Sequence, residues 1–219
     1  MKKTLPLLVI LLCISSLAFS QIKFGVKGGF NISTVSFDPD PDLDITPLAS
    51  FHLGGFFEYT FQESMNLRAE LMYSGEGGKL TGETIGQIID NTEDLDLELK
   101  DKYSFLSLPV LFKYNHSSGL TLEAGPTFNF LLAARFTTTR KGEDARESIS
   151  VDFDESVKGV DLKFAIGAGY ELPSGLSFNL RYSASLSSIY TDEYTETNDG
   201  LEGTLSLFQI STALPVFAK

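Results

Sequence analysis

Residues 161–185 read DLKFAIGAGYELPSGLSFNLRYSAS. Leu162, Phe164, Ile166, Ala168 and Tyr170 share one parity, and Asp161, Lys163, Gly167, Gly169 and Glu171 take the other. After Leu172–Gly175 the pattern resumes, with Leu176, Phe178, Leu180, Tyr182 and Ala184 against Ser177, Asn179, Arg181, Ser183 and Ser185. Side chains alternate between the two faces of a strand, so a strict period of two with a short Pro- and Gly-containing break predicts a β-hairpin with one apolar and one polar face.

The same pattern runs along the chain in both directions. Phe24, Val26, Gly28, Phe30 and Ile32 oppose Lys23, Gly25, Lys27, Gly29 and Asn31. Phe51, Leu53, Phe57, Tyr59 and Phe61 oppose His52, Gly54, Glu58 and Thr60, and Leu67, Ala69, Leu71 and Tyr73 oppose Asn66, Arg68, Glu70 and Ser74. Leu106, Leu108, Val110, Phe112 and Tyr114 oppose Ser107, Pro109 and Lys113; Leu120, Leu122, Ala124, Phe128 and Phe130 oppose Thr121, Glu123, Gly125, Thr127 and Asn129. A last run near 204–217 carries Phe208, Ile210 and Leu214. These are about eight strands of about ten residues, the length that a tilted strand needs to cross a bilayer.

The connections are unequal. Gln62–Met65, Asn115–Gly119 and Leu172–Gly175 read as short turns, whereas 33–50, 75–102, 136–160 and 187–203 read as long polar loops. Short turns at one end and long loops at the other predict an up-and-down outer-membrane barrel. The lipocalin-like alternative, a soluble carrier barrel, needs the apolar face inside. An eight-stranded interior cannot hold so many Phe, Tyr and Leu side chains, whereas Gly25, Gly29, Gly54, Gly125, Gly167 and Gly169 suit a narrow lumen. Tyr59, Tyr73, Tyr103, Tyr114, Tyr170 and Tyr182 are expected to form an interfacial girdle.

The N-terminus reads as a secretory signal peptide spanning 1–20. Lys2 and Lys3 precede an apolar stretch from Leu5 to Ile14, and Ala18-Phe19-Ser20 offers cleavage before Gln21. The barrel domain is then 21–219. Cys13 is the only cysteine, so the exported chain is expected to have neither disulfide nor thiolate chemistry. The net charge is −12, and the four long loops hold more than all of that negative excess. Such a surface argues against nucleic-acid binding.

On the polar face, Lys27, Glu58, Arg68, Glu70, Lys113, Glu123, Lys163, Glu171 and Arg181 are expected to meet in the lumen and to pair there, because an unpaired buried charge is costly. Read functionally, the set could carry ions or protons through a narrow channel; read structurally, it plugs the barrel, and the plug is preferred because eight strands leave no open pore. Asp38, Asp40, Asp42 and Asp44 alternate in the first loop and form a weak Ca²⁺ candidate, but the EF-hand pattern is absent. Asp94, Asp96 and Glu98 repeat the motif. His52 and His116 belong to a strand and a turn, with no catalytic triad spacing, so neither an enzyme nor a cofactor is expected. Leu95, Leu97 and Leu99, and likewise Ile149, Val151 and Phe153, alternate within the loops and are read as solvated hairpins, with a sheet edge open to another chain as the alternative. The expected partners are the bilayer and proteins that meet the outer loops, around a monomer.

Several runs carry a family resemblance. Phe24-Gly-Val-Lys-Gly-Gly-Phe-Asn31, Leu106-Ser-Leu-Pro-Val-Leu-Phe-Lys-Tyr114, Ala124-Gly-Pro126, Gly167-Ala-Gly-Tyr-Glu-Leu172 and Leu180-Arg-Tyr-Ser183 resemble, in that order, strands of the PorT-like outer membrane β-barrel family common in Bacteroidetes. The resemblance implies an eight-stranded barrel in the cell outer membrane. The family's founding member takes part in secretion of proteins across that membrane, which makes an accessory export role the alternative to a structural or surface-interaction one. Two features depart from the family: Ser185-Leu186 stands where Gly-Leu is usual, and Pro215, Ala218 and Lys219 surround the terminal Phe217.

Overall fold

The computed structural model describes residues 21–39, 45–81, 97–141, 146–198 and 200–218. Among these residues nine strands form in chain order: β1 (Ile22–Asp38), β2 (Ile45–Gln62), β3 (Met65–Thr81), β4 (Leu97–Asn115), β5 (Leu120–Lys141), β6 (Arg146–Asp152), β7 (Val160–Glu171), β8 (Ser177–Ser185) and β9 (Glu202–Ala218). A 3-10 turn covers Asp154–Ser156, and one short helix, α1, covers Asp192–Thr197.

Eight strands close into an antiparallel ring in the order β1-β2-β3-β4-β5-β7-β8-β9, with β9 returning to β1. Closure runs from Lys23↔Ala218 to Asp38↔Glu202, with a bulge between Phe24 and Gly25 where Val216 is the extra residue. Pro215 sits beside that bulge, opposite Gly25, a place where a missing N–H donor is tolerated. β9 thus continues past the proline to Ala218, and Phe217 stacks on Phe24 at 5.0 Å. The 22-residue β5 serves two neighbours on one edge, pairing β7 through its first half and β6 through its second.

The alternating register sends the apolar parity outward. Phe30, Leu53, Phe112 and Leu120 are each more than half exposed, and they belong to one continuous belt around the ring. The polar parity is buried inside. Glycine admits the close approach of adjacent strands in this tight ring. An added Cβ on Gly29 would meet the Ile210 carbonyl oxygen at 2.0 Å, and one on Gly54 would meet that of Leu71 at 2.1 Å. Two of the short turns end on glycines in the left-handed region, Gly119 at φ +93° and Gly175 at φ +85°. Each donates its N–H back across the turn, to His116 and Leu172 respectively.

Two expectations change. Among the described residues, most of 33–50, 75–102 and 136–160 is strand, because β1 to β5 run well past the apolar belt, and 187–203 contains α1. The segment holding Ile149 and Val151 is β6, hairpinned on β5, and Leu97 and Leu99 open β4. Tyr103 is fully buried inside the ring and is no part of an interfacial girdle, whereas Tyr59, Tyr114, Tyr170 and Tyr182 face outward. The sequence places Tyr103 at the margin of a loop; the register of β4, with Tyr103 two residues from Phe105, turns it inward.

Candidate functional site

The lumen is filled in layers. Nearest the turn end, Lys113 donates to Glu58 Oε2 at 3.2 Å and to Glu171 Oε2 at 2.7 Å, while Lys23 reaches Glu171 Oε1 at 2.9 Å. Arg68 donates Nε to Glu58 Oε2 at 2.8 Å, and its guanidinium lies 4.4 Å over the Phe56 ring. The middle layer draws on four strands. Arg181 of β8 grips Glu70 of β3 through two hydrogen bonds of 2.7 and 2.9 Å, and it donates Nε to Glu123 of β5 at 2.8 Å. Lys27 of β1 completes this layer on Glu70 at 3.0 Å. The fork of guanidinium donors suits two carboxylates held at fixed angles, which a lysine could not bind in the same way.

Above it, Lys163 pairs with Glu76 and with Asp161, the latter at 3.4 Å. A neutral network spans the same level: His52 joins Asn31 Oδ1 at 2.7 Å and Ser211 Oγ at 2.9 Å, and Gln209 donates to Asn31. The ion pairs gather six cations (Lys23, Lys27, Arg68, Lys113, Lys163, Arg181) and six carboxylates (Glu58, Glu70, Glu76, Glu123, Asp161, Glu171). All nine residues expected in the lumen are found in these layers. Lys23, Glu76 and Asp161 join them; Lys23 and Asp161 follow the same parity rule, whereas Glu76 falls in a stretch that reads as a loop because Gly75, Gly77 and Gly78 interrupt the alternation.

Past the charges the lumen turns apolar. Val35, Tyr103, Phe105, Ala134, Val157, Ile189, Tyr190 and Leu205 form one buried cluster. The Tyr103 and Tyr190 hydroxyls meet at 3.2 Å. This cluster lies above the outward belt, whose last β4 member is Leu106. Burial pushes the hydroxyls of Tyr103 and Tyr190 well above the usual tyrosine range, so both remain protonated.

A sequence profile of the outer membrane protein beta-barrel domain matches residues 16–191. The chain belongs to that family. Its belt is therefore lipid-facing in the outer membrane, its short turns and both ends of the ring's chain lie on the periplasmic side, and its extended strands project outward. Several solved structures are similar to the chain at low identity. Ail, the attachment invasion locus protein of Yersinia pestis, is 11% identical, with 89% of this chain and 97% of that chain covered and a TM-score of 0.44. Neisserial surface protein A is 9% identical, with 87% and 96% covered and a TM-score of 0.40. The outer membrane protein OprG of Pseudomonas aeruginosa is 13% identical, with 91% and 97% covered and a TM-score of 0.39. No curated protein matches the sequence.

The other sequence candidates scatter. Asp38 is exposed at the end of β1, while Asp40, Asp42 and Asp44 lie outside the described residues, as do Asp94, Asp96 and Leu95. Glu98 is bound at 2.8 Å by Lys100 and at 3.1 Å by Lys79, on the outer face of the projecting strands. The hydrogen bond from Lys100 chiefly holds its carboxyl down at about 2. His116 caps its own turn by accepting from or donating to Ser118, and it is far along the barrel from His52. The signal segment 1–20 also lies outside the described residues.

Proposed function

We propose that this protein is a closed, non-enzymatic barrel with a structural or surface-interaction role, exported by a signal peptide cleaved before Gln21 and inserted as a monomer. The observation that carries the reading is the double seal. A vestibule of about 480 Å³ opens at the periplasmic turns, and a cup of about 420 Å³ opens at the outer mouth. Between them a lumen cavity of about 10 Å³ lies beside Met72, Glu76 and Lys163, no more than a single water would need. Ion pairs that link seven of the ring's strands rigidify the barrel. What remains available to a partner is the projecting outer sheet.

A second reading follows from β6. Among the described residues it pairs β5 on one side only, and Ile149 and Val151 are more than half exposed on it. An open strand edge of this kind can add a strand from another chain, which would suit an accessory role in protein export of the PorT-like kind. Affinity capture from mildly solubilised outer membranes tests both. An envelope protein recovered with the intact chain, and lost when Ser148 and Ser150 on β6 are replaced by proline, supports partner binding at that edge. Recovery of an export component assigns the second reading, and recovery of no protein above an empty-membrane control contradicts both interaction roles.

A further inference from the structure

The outer cup is walled by rings from four separate segments. Phe37 ends β1, Phe136 lies on β5, Phe153 precedes the 3-10 turn, and Tyr190 and Tyr194 flank and enter α1. Their faces are fixed by stacking: Tyr190 against Tyr194 at 4.7 Å, and Phe37 against Tyr190 at 6.1 Å with only 9° between their planes. Beneath them, Tyr103 and Tyr190 join hydroxyls and close the floor.

One acid lines this aromatic cup. Asp101 faces inward from β4, opposite Phe136. It makes no side-chain hydrogen bond or ion pair among the described residues. The lumen charges below it are balanced without it. Its neighbours along the strand, Lys100 and Lys102, fall on the opposite parity and so face outward, with Lys100 held on Glu98. Burial raises the Asp101 carboxyl to about 6, so it is ionised at neutral pH. A desolvated carboxylate without a counter-ion is costly to retain, and aromatic faces attract cations.

We propose that the outer cup binds an organic cation, an ammonium group carried on an apolar body, with the cation on Asp101 and the body against the rings of Phe37, Phe136, Tyr190 and Tyr194. The volume of about 420 Å³ is within the range of small-molecule sites. The single carboxylate selects charge, and the rings select an apolar shape while excluding anions.

The test uses the full chain refolded into nanodiscs of zwitterionic lipid, with empty nanodiscs as the partition control. Phenylpropyltrimethylammonium is titrated by calorimetry beside its uncharged tert-butyl isostere. The expected result is saturable binding of the ammonium at one site per chain, at least tenfold weaker for the isostere. Asp101→Asn should weaken the ammonium at least tenfold and leave the isostere unchanged. Tyr194→Leu, which keeps apolar bulk at the rim but removes a ring face, should weaken it severalfold and serves if Asp101→Asn does not fold. Equal binding of the two probes, full binding by Asp101→Asn, or no saturable binding at millimolar ammonium would overturn the proposal.

Discussion

At the scale of single residues, the sharpest dependence falls on Arg181. Its guanidinium is the one group that bridges Glu70 and Glu123 across the lumen. Arg181→Met removes the cation that binds two buried carboxylates, leaving Glu123 without an ion pair among the described residues and Glu70 with Lys27 at 3.0 Å and Arg68 at 4.0 Å. Breaking a buried pair in this way costs about 3–5 kcal/mol. Urea unfolding in vesicles should show that loss, and the triple variant Arg181→Met, Glu70→Gln, Glu123→Gln should recover most of it, because the stranded charges are gone. Asp101 has the opposite sign of effect. Burial raises its carboxyl from 3.8 to about 6, so the folded chain binds more protons than the unfolded one between those values. The Asp101 contribution to stability is therefore fully present below about 4 and is lost as pH rises through about 6. Tyr103 and Tyr190, held above the usual tyrosine range by burial, interact with the same carboxylate and stay neutral over this range. Asp101→Asn should abolish the slope and leave the chain more stable than the parent at pH 8, by on the order of 2 kcal/mol, in unfolding series run at pH 4, 6 and 8.

At the scale of elements, the same strand chemistry has two consequences that depend on height along the barrel. Leu53 on β2 faces lipid near the middle of the belt, opposite Gly28, whereas Ser36 on β1 faces outward above it, opposite Thr204. An arginine at the first position is expected to destabilise by about 2–4 kcal/mol and at the second by less than about 1 kcal/mol. Vesicle unfolding of Leu53→Arg and Ser36→Arg checks the contrast; equal losses would place the belt wrongly. The transmembrane part of each strand was legible in the sequence because lipid and lumen impose opposite polarity on alternate residues. The projecting parts were not. Once a strand leaves the membrane its outer face meets water, so Thr34, Ser36, Lys79, Lys100 and Thr137 replace Phe and Leu and the alternation disappears, although the hydrogen-bonded ladder continues. Tyr103 was misplaced for the same reason, since its inward orientation depends on a register that composition beyond the belt no longer marks.

At the scale of the whole molecule, the lumen charges illustrate what a sequence conveys about a site. Parity alone selects Lys27, Glu58, Arg68, Glu70, Lys113, Glu123, Lys163, Glu171 and Arg181, because any polar side chain on an otherwise lipid-facing strand must point in. Which partners meet is decided by the stagger of the strands around the ring, and that information is spread over residues as far apart as Glu70 and Arg181. The apolar seal above them and the cup beyond it come from β4, β5, α1 and the 3-10 turn, segments that do not resemble one another and whose proximity only closure of the ring creates. On the proposed reading the eight-stranded ring is sealed at two levels, by the ion pairs and by the apolar cluster above them. Single-channel recording of the refolded protein in planar bilayers tests it most directly. The sealed lumen predicts a flat current at up to ±150 mV, with insertion verified by heat-modifiable migration on a gel. Stable, reproducible conductance steps from the same preparation would contradict it.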